Sequence, residues 1–279
     1  MIPFDFEYYR PESISEAVQL FIELDQAGKN PVYFSGGTEI ITLGRINVLY
    51  TNAVIDIKGI PECQVMDYHE GNLYLGSCCT LVDIEEKNLF PLLTATSKEV
   101  ADHTARTKIT LGGNICANLF YREAVLPFLL ADSQVIIAGP NGYRTEYINQ
   151  VFNQTLQLER GEFLVQLITE PDKIEAPSIN IKRRRQWTTG YPLVTVAGLK
   201  LGEEIRVAIS GLCPYPFRSQ KMEYYINSQD FSQRDRIEKA LGDVDGNVLN
   251  DTEGSDKYRL FILRNTMLDI VSTLEGERA

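Results

Sequence analysis

A chain of 279 residues that is 44% hydrophobic and 23% charged has the make-up of a folded globular protein rather than a fibrous or disordered one. Its 38 acidic side chains against 27 basic ones leave a formal charge of -11, a field that repels polyphosphate backbones and acidic membrane surfaces and argues against nucleic acid as a partner. No apolar run nears the roughly 20 residues that cross a bilayer, and Met1-Ile2-Pro3-Phe4-Asp5 does not read as a signal peptide, so the expected location is cytoplasmic.

In chain order, Phe4 to Arg10 alternates aromatic and charged side chains and predicts a short strand. Ser13 with Glu16 three residues on, ahead of Ala17, Leu20, Phe21 and Leu24, predicts a capping box and an amphipathic helix ending at Gly28-Lys29-Asn30-Pro31. Val32-Tyr33-Phe34 reads as a buried strand running into the glycine turn Ser35-Gly36-Gly37-Thr38, with a helix over Glu39 to Leu43 behind it. Strands follow at Ala53 to Ile57 and, after a His-Glu-Gly-Asn turn, at Asn72 to Gly76. Residues 81–106 read as two helices around Pro91, leading to a second glycine turn, Thr107 to Asn114. Pro140-Asn141-Gly142 joins Val135–Ala138 to Tyr143–Thr145 as a hairpin.

The polar stretch between Glu170 and Ser178, with two prolines, is the best domain boundary. Beyond it, Ile179–Arg183, Leu193–Leu201 and Ile205–Ser210 predict a three-stranded antiparallel meander. Helices close the chain, the last with Leu260, Leu263, Met267, Ile270 and Leu274 on one apolar stripe.

Chemistry-bearing residues are few. Five cysteines without a C-x-x-C pair and two separated histidines supply no metal ligand set, and no nucleophile or acid–base constellation is visible, so neither catalytic nor metal-binding residues are expected. The two glycine turns are what a diphosphate cradle of backbone amides requires, because glycine lets the peptide approach phosphate oxygens and adopt positive φ. Neither fits the Rossmann fingerprint or the P-loop, and Gly-Gly pairs are also common in plain hairpins, so a different nucleotide-binding fold is implied if any.

Taken in order, these features resemble the FAD-binding subunits of the xanthine dehydrogenase and carbon monoxide dehydrogenase family of molybdenum hydroxylases. Tyr9-Arg10-Pro11 with Glu16-Ala17 is similar to the family's opening, Phe34–Ile40 to its AGGTDL or GNTEI turn, and Thr110–Ile115 to its TIGGNI. Further matches are Gly139–Arg144, Glu162-Phe163-Leu164, Lys182, Tyr191-Pro192-Leu193 and Tyr258-Arg259. Ser35 in place of alanine and the bulkier Leu119-Phe120-Tyr121-Arg122 depart from the pattern.

The resemblance implies an α+β fold: a PCMH-type, vanillyl-alcohol oxidase-like FAD-binding domain of two subdomains over residues 1–174, then a small domain with a three-stranded antiparallel sheet and helices over 175–279. It implies FAD contacts from Tyr33, Phe34, Ser35, Gly36, Gly37, Thr38, Glu39 and Ile40, and from Thr110, Leu111, Gly112, Gly113 and Asn114 across the diphosphate. Glu123 is expected on ribose or ribityl hydroxyls, Leu164 or Val165 at the flavin edge through the backbone, and Lys182 and Tyr191 near the isoalloxazine. Read alone, Glu123 beside Arg122 is a surface pair, and Lys182, opening the run to Arg185, a solvated strand face.

The activity implied is electron transfer. A molybdopterin-binding large subunit oxidises substrate, a small subunit with [2Fe–2S] clusters relays the electrons, and FAD on this chain passes them to NAD or another acceptor, in a heterotrimer without a membrane span. The alternative is a self-contained PCMH-type flavin oxidase or reductase acting within one chain.

Overall fold

The computed structural model describes residues 2–185, 191–244 and 246–276. Two sheets fill the first part of the chain. Glu7–Tyr9, Ala53–Asp56 and Val32–Phe34 form a parallel sheet with Ala53–Asp56 in the centre. The helix Ile14–Gln26 makes the crossover between its two outer strands and turns Ile14, Ala17, Phe21 and Leu24 inward. Ser13 caps it by accepting from the Glu16 N–H at 3.2 Å. The Glu16 carboxylate bonds the Glu12 N–H at 2.8 Å instead of returning to Ser13, so only half of the expected box forms.

The second sheet is antiparallel and five-stranded, in the order Met66–His69, Asn72–Gly76, Phe163–Thr169, Gln134–Gly139, Gly142–Tyr147. Both hairpins stand where their turn residues put them, Glu70 and Gly71 at positive φ giving the turn that matches strand twist. Phe163–Thr169, last in sequence, is the middle strand. A register shift between Leu164 and Gln166 lets it serve two cores: Leu164 and Leu167 pack on one side, Phe163 and Val165 on the other.

Between Gly76 and Gln134 the chain is largely helical, with Leu81–Lys87, Pro91–Ser97, His103–Arg106, Leu111–Cys116 and Leu126–Leu130, so the second of the two helices expected over 81–106 is split in two. The second glycine pair therefore lies in the first turn of a helix capped by Thr110, not in a loop.

Ser178–Arg184, Pro192–Leu201 and Glu204–Ser210 form the expected meander, and Phe217–Arg218 adds a fourth strand beside Glu204–Ser210. Two residues are too few to show a period of two, which is why pattern missed it. The sheet is a shared wall. Ala197, Leu199 and Ala208 join the core of the five-stranded sheet and its helices. Val194, Val196, Val207 and Ile209 face the opposite core with Leu263, Met267 and Ile270 of the closing helix Asp256–Glu275. Charge reinforces the junction: Asp132, beyond the helix Leu126–Leu130, pairs with Arg206 and Arg218 from the wall at 2.5 and 2.7 Å. Among the described residues, no helix is long and apolar enough to cross a membrane.

Candidate functional site

The parallel sheet, the helical segment and the wall enclose a cavity of about 950 Å³, within the range of pockets that bury a ligand. Tyr33, Ser35, Gly36, Gly37, Thr38, Glu39 and Ile40 line one side; Thr110, Gly113 and Asn114 line the other, with Glu123, Lys182 and Tyr191. Most of the residues singled out from sequence thus converge from five separate stretches of chain.

The two glycine segments differ in what their amides do. Gly37 has φ 71° and precedes the helix Thr38–Arg45 without a side-chain cap. Among the described residues, no acceptor takes the N–H groups of Gly36, Gly37 or Thr38. With the positive end of the helix behind them, these donors suit an anion.

At the second segment the donors are spent. Leu111 N–H bonds Cys79 O and Gly112 N–H bonds Ser77 O, each at 2.8 Å, Asn114 N–H bonds Thr110 O at 2.8 Å, and Gly113 N–H goes to Thr110 Oγ1 at 3.2 Å. Gly112 here serves packing, while Gly113 lines the cavity. A β-carbon on Gly112 would lie 2.6 Å from that of Ser77. One on Gly36 would meet Lys108 O at 2.1 Å, so the first turn is also pressed against the loop leading into the second. Of the two segments expected to offer amides to a diphosphate, only the first has donors that no described residue accepts.

Five expected contacts do not line the cavity. Leu111 and Gly112 are buried behind it. Phe34 turns its ring under Gly37. Leu164 and Val165 sit at the strand irregularity with their side chains in the two cores, and the Val165 carbonyl accepts from Ser77 N–H at 2.9 Å.

Glu123 and Lys182 pair at 2.8 Å with side chains only 2% and 4% exposed, so neither is the solvated group that its charged neighbours suggest. Lys182 also donates to the Glu99 carbonyl at 2.7 Å. Arg122 is buried as well, but donates to the Ala117 carbonyl at 3.1 Å and to that of Gln154 rather than pairing with Glu123. Asn114 holds the Glu123 segment by accepting from Ala124 N–H at 3.2 Å. The Glu39 carboxylate accepts from Asn118 N–H at 3.0 Å, tying the first turn's helix across the cavity, and burial pushes its pKa upward despite that bond. Tyr191, 66% exposed, stacks on Tyr121 with ring centroids 4.7 Å apart.

Sequence reasoning missed Val100, Ala101 and Asp102 and the run Cys116 to Tyr121, all of which line the cavity. The bulk of Leu119-Phe120-Tyr121 after a glycine segment was the only signal; nothing local marks Val100 to Asp102. Among the described residues no group of three His, Cys, Asp or Glu is arranged to hold a metal ion. What remains is a cavity with unpaired amide donors at one end, a buried carboxylate at the other and aromatic rings at its mouth, which fits a dinucleotide with one anionic centre and several hydroxyls.

Residues 4–169 match the family model described as the FAD binding domain in molybdopterin dehydrogenase. The chain is 30% identical over 237 residues to caffeine dehydrogenase subunit beta of Pseudomonas sp. strain CBB1, covering 81% of this chain and 79% of that one. It is 26% identical over 231 residues to the carbon monoxide dehydrogenase medium chain of Hydrogenophaga pseudoflava, covering 79% of each. A chain in a solved structure of carbon monoxide dehydrogenase from Hydrogenophaga pseudoflava shares the fold, with a TM-score of 0.84 at 22% identity and 100% of both chains covered. With that match running through both glycine segments, the chain belongs to the FAD-binding subunits of the molybdenum hydroxylase family, and its cofactor is FAD.

Proposed function

We propose that this chain is the electron-transfer subunit of a molybdenum hydroxylase of the xanthine dehydrogenase type, with FAD seated in the cavity between the glycine segments. The observation that carries the reading is the set of unpaired amides at Gly36, Gly37 and Thr38 opening into the cavity opposite a buried Glu123. The amides would receive the diphosphate, and Glu123, fixed by Lys182 and by the Asn114-held backbone, would accept hydrogen bonds from ribose or ribityl hydroxyls. Tyr191 and Tyr121 would cover the ring end and limit water there.

When bound, FAD supplies the exchange between single-electron and two-electron carriers. The chain's own residues position it and set the charge around it. The partners in this reading are a molybdopterin-binding large subunit and a small [2Fe–2S] subunit in a cytoplasmic heterotrimer, with NAD or another acceptor receiving the electrons. Residues 1–174 would form the PCMH-type domain and 175–279 the C-terminal one, the latter contributing Lys182 and Tyr191 to the shared site.

The test is reconstitution of the FAD-free full chain with Gly113→Val. The β-carbon at this position meets only Thr110 and otherwise projects toward the cavity that Gly113 lines. FAD affinity should fall at least tenfold while the apoprotein stays folded by circular dichroism. Full affinity in the folded variant would overturn the assignment of FAD to this cavity.

A further inference from the structure

Beneath the first glycine turn lies Lys58, a residue without a place in the cavity wall. Its ammonium donates to the Ser35 carbonyl at 2.8 Å and to both carboxylate oxygens of Asp56 at 2.8 and 2.9 Å. Asp56 is buried at the end of the central strand Ala53–Asp56 and accepts a further bond from the Tyr8 hydroxyl at 2.5 Å. The Lys58 Nζ also sits 4.6 Å from the centre of the Phe34 ring, the ring that packs under Gly37. Phe34 from the second strand and Asp56 from the third in chain order thus meet the ammonium directly, and Tyr8 from the first reaches it through Asp56.

The consequence follows from peptide geometry. The described residues contain no cis peptide bonds, and in a planar trans peptide the C=O and the N–H of the same unit point in opposite directions. Holding the Ser35 carbonyl down toward Lys58 turns the Gly36 N–H away from Lys58. Ser35 and Gly36 line the cavity whereas Lys58 does not, and among the described residues no acceptor takes the Gly36 N–H. A turn built on two glycines has little steric preference to keep that peptide from rotating, so something outside the turn must fix it.

We propose that Lys58 is a positioning residue for the cofactor: by clamping the Ser35 carbonyl, with Asp56 and Tyr8 as its anchor, it locks the Ser35-Gly36 peptide with its N–H presented to the FAD diphosphate. The proposal rests on the reading that FAD occupies this cavity. Lys58 does not act as a free positive charge attracting the diphosphate, because Asp56 neutralises it at contact distance. Its contribution is directional.

That distinction gives the test. FAD is titrated into the full-length apoprotein, with binding read from quenching of flavin fluorescence, for the wild type, Lys58→Met, Asp56→Asn and Gly113→Val. Lys58→Met should raise the Kd about tenfold or more, equally at low and high salt, since a hydrogen-bond clamp is not screened as a distant charge is. Asp56→Asn should also weaken binding, although it removes a negative charge near an anion. Asparagine keeps one of the two oxygens that hold Lys58 and Tyr8, which loosens the anchor at nearly the same size, so this variant carries the test alone if Lys58→Met does not fold. Binding by Asp56→Asn equal to or tighter than wild type, or a Lys58→Met defect that vanishes in salt, overturns the clamp in favour of a simple charge effect. An unchanged Kd in Lys58→Met beside a weakened Gly113→Val overturns the clamp and leaves the FAD site standing. Unchanged affinity in both overturns the site and the clamp together. A crystal structure of Lys58→Met with FAD should show the Ser35-Gly36 peptide rotated or in two orientations.

Discussion

The two glycine segments look alike in sequence and do opposite jobs. At Gly36 to Thr38 no described acceptor takes the backbone donors, and Lys58, just beyond the central strand, holds the Ser35 carbonyl beside them. At Thr110 to Asn114 every donor from Leu111 onward is taken by the protein, and Gly112 lets a helix start lie directly against the strand end at Ser77. In the proposed reading the first segment serves the ligand through its amides, while the second packs through Gly112 and turns Gly113 to the cavity. The lesson is that a glycine pair announces close approach, and only the fate of its N–H groups tells whether a ligand or the protein itself is what approaches.

The comparison can be broken most sharply on the packed side. Lys182→Met strands the Glu123 carboxylate in a buried site and should cost about 3–5 kcal/mol in urea unfolding of the apoprotein. The double variant with Glu123→Gln should regain much of that loss, and failure to regain any would mean that the pair is not what stabilises this wall. Gly112→Val comes next. Its side chain must displace Ser77, at a cost of about 1–3 kcal/mol by thermal melting with FAD absent, and a wild-type melting temperature would refute the packing role.

The ligand side should show smaller effects on stability. The Asp56 carboxyl is held below its ordinary pKa: burial alone would raise it, but the bonds from Lys58 and Tyr8 outweigh burial. A depressed carboxyl contributes stability that is present above the unfolded pKa of about 3.9 and is lost as pH falls through the lower folded value. The stability gap between wild type and Asp56→Asn should accordingly be full at pH 7 and close in acid below about pH 4. A gap that widens in acid would reverse the sign and rule this out. Smallest of all, Ser35→Ala removes only a hydroxyl that donates to the Cys78 thiol at 3.2 Å. Stability should change by less than about 0.5 kcal/mol, and FAD affinity by less than threefold in fluorescence titration, since the turn acts through its backbone.

Much of this was legible in the sequence wherever a local rule decided the outcome. Ser13 caps its helix, Pro140-Asn141-Gly142 turns its hairpin, and the apolar stripe from Leu260 to Leu274 is buried apart from the half-buried Leu260 at its start. The helix Leu111–Cys116 was not legible, because two glycines each disfavour a helix by about 1 kcal/mol. Tertiary bonds to Ser77 and Cys79 override that preference. The ion pair of Glu123 with Lys182 joins residues far apart in sequence, and the charged neighbours of each suggest solvent rather than burial. Lys58 escaped notice for a related reason: an isolated lysine after a strand is ordinary, and only parallel pairing of three strand ends gives it its partners.

The shared wall has a consequence for how the molecule comes apart. Pro192–Leu201 is buried on both faces over most of its length, so removing either half of the protein strips one face of the strand. Each fully buried leucine or valine exposed in that way costs about 1.5–3 kcal/mol, which over several residues rivals the whole stability of a domain. A fragment ending at residue 174 would leave one core open to water and surrender Lys182, so the protein should melt in one transition and resist being cut into a minimal flavin carrier.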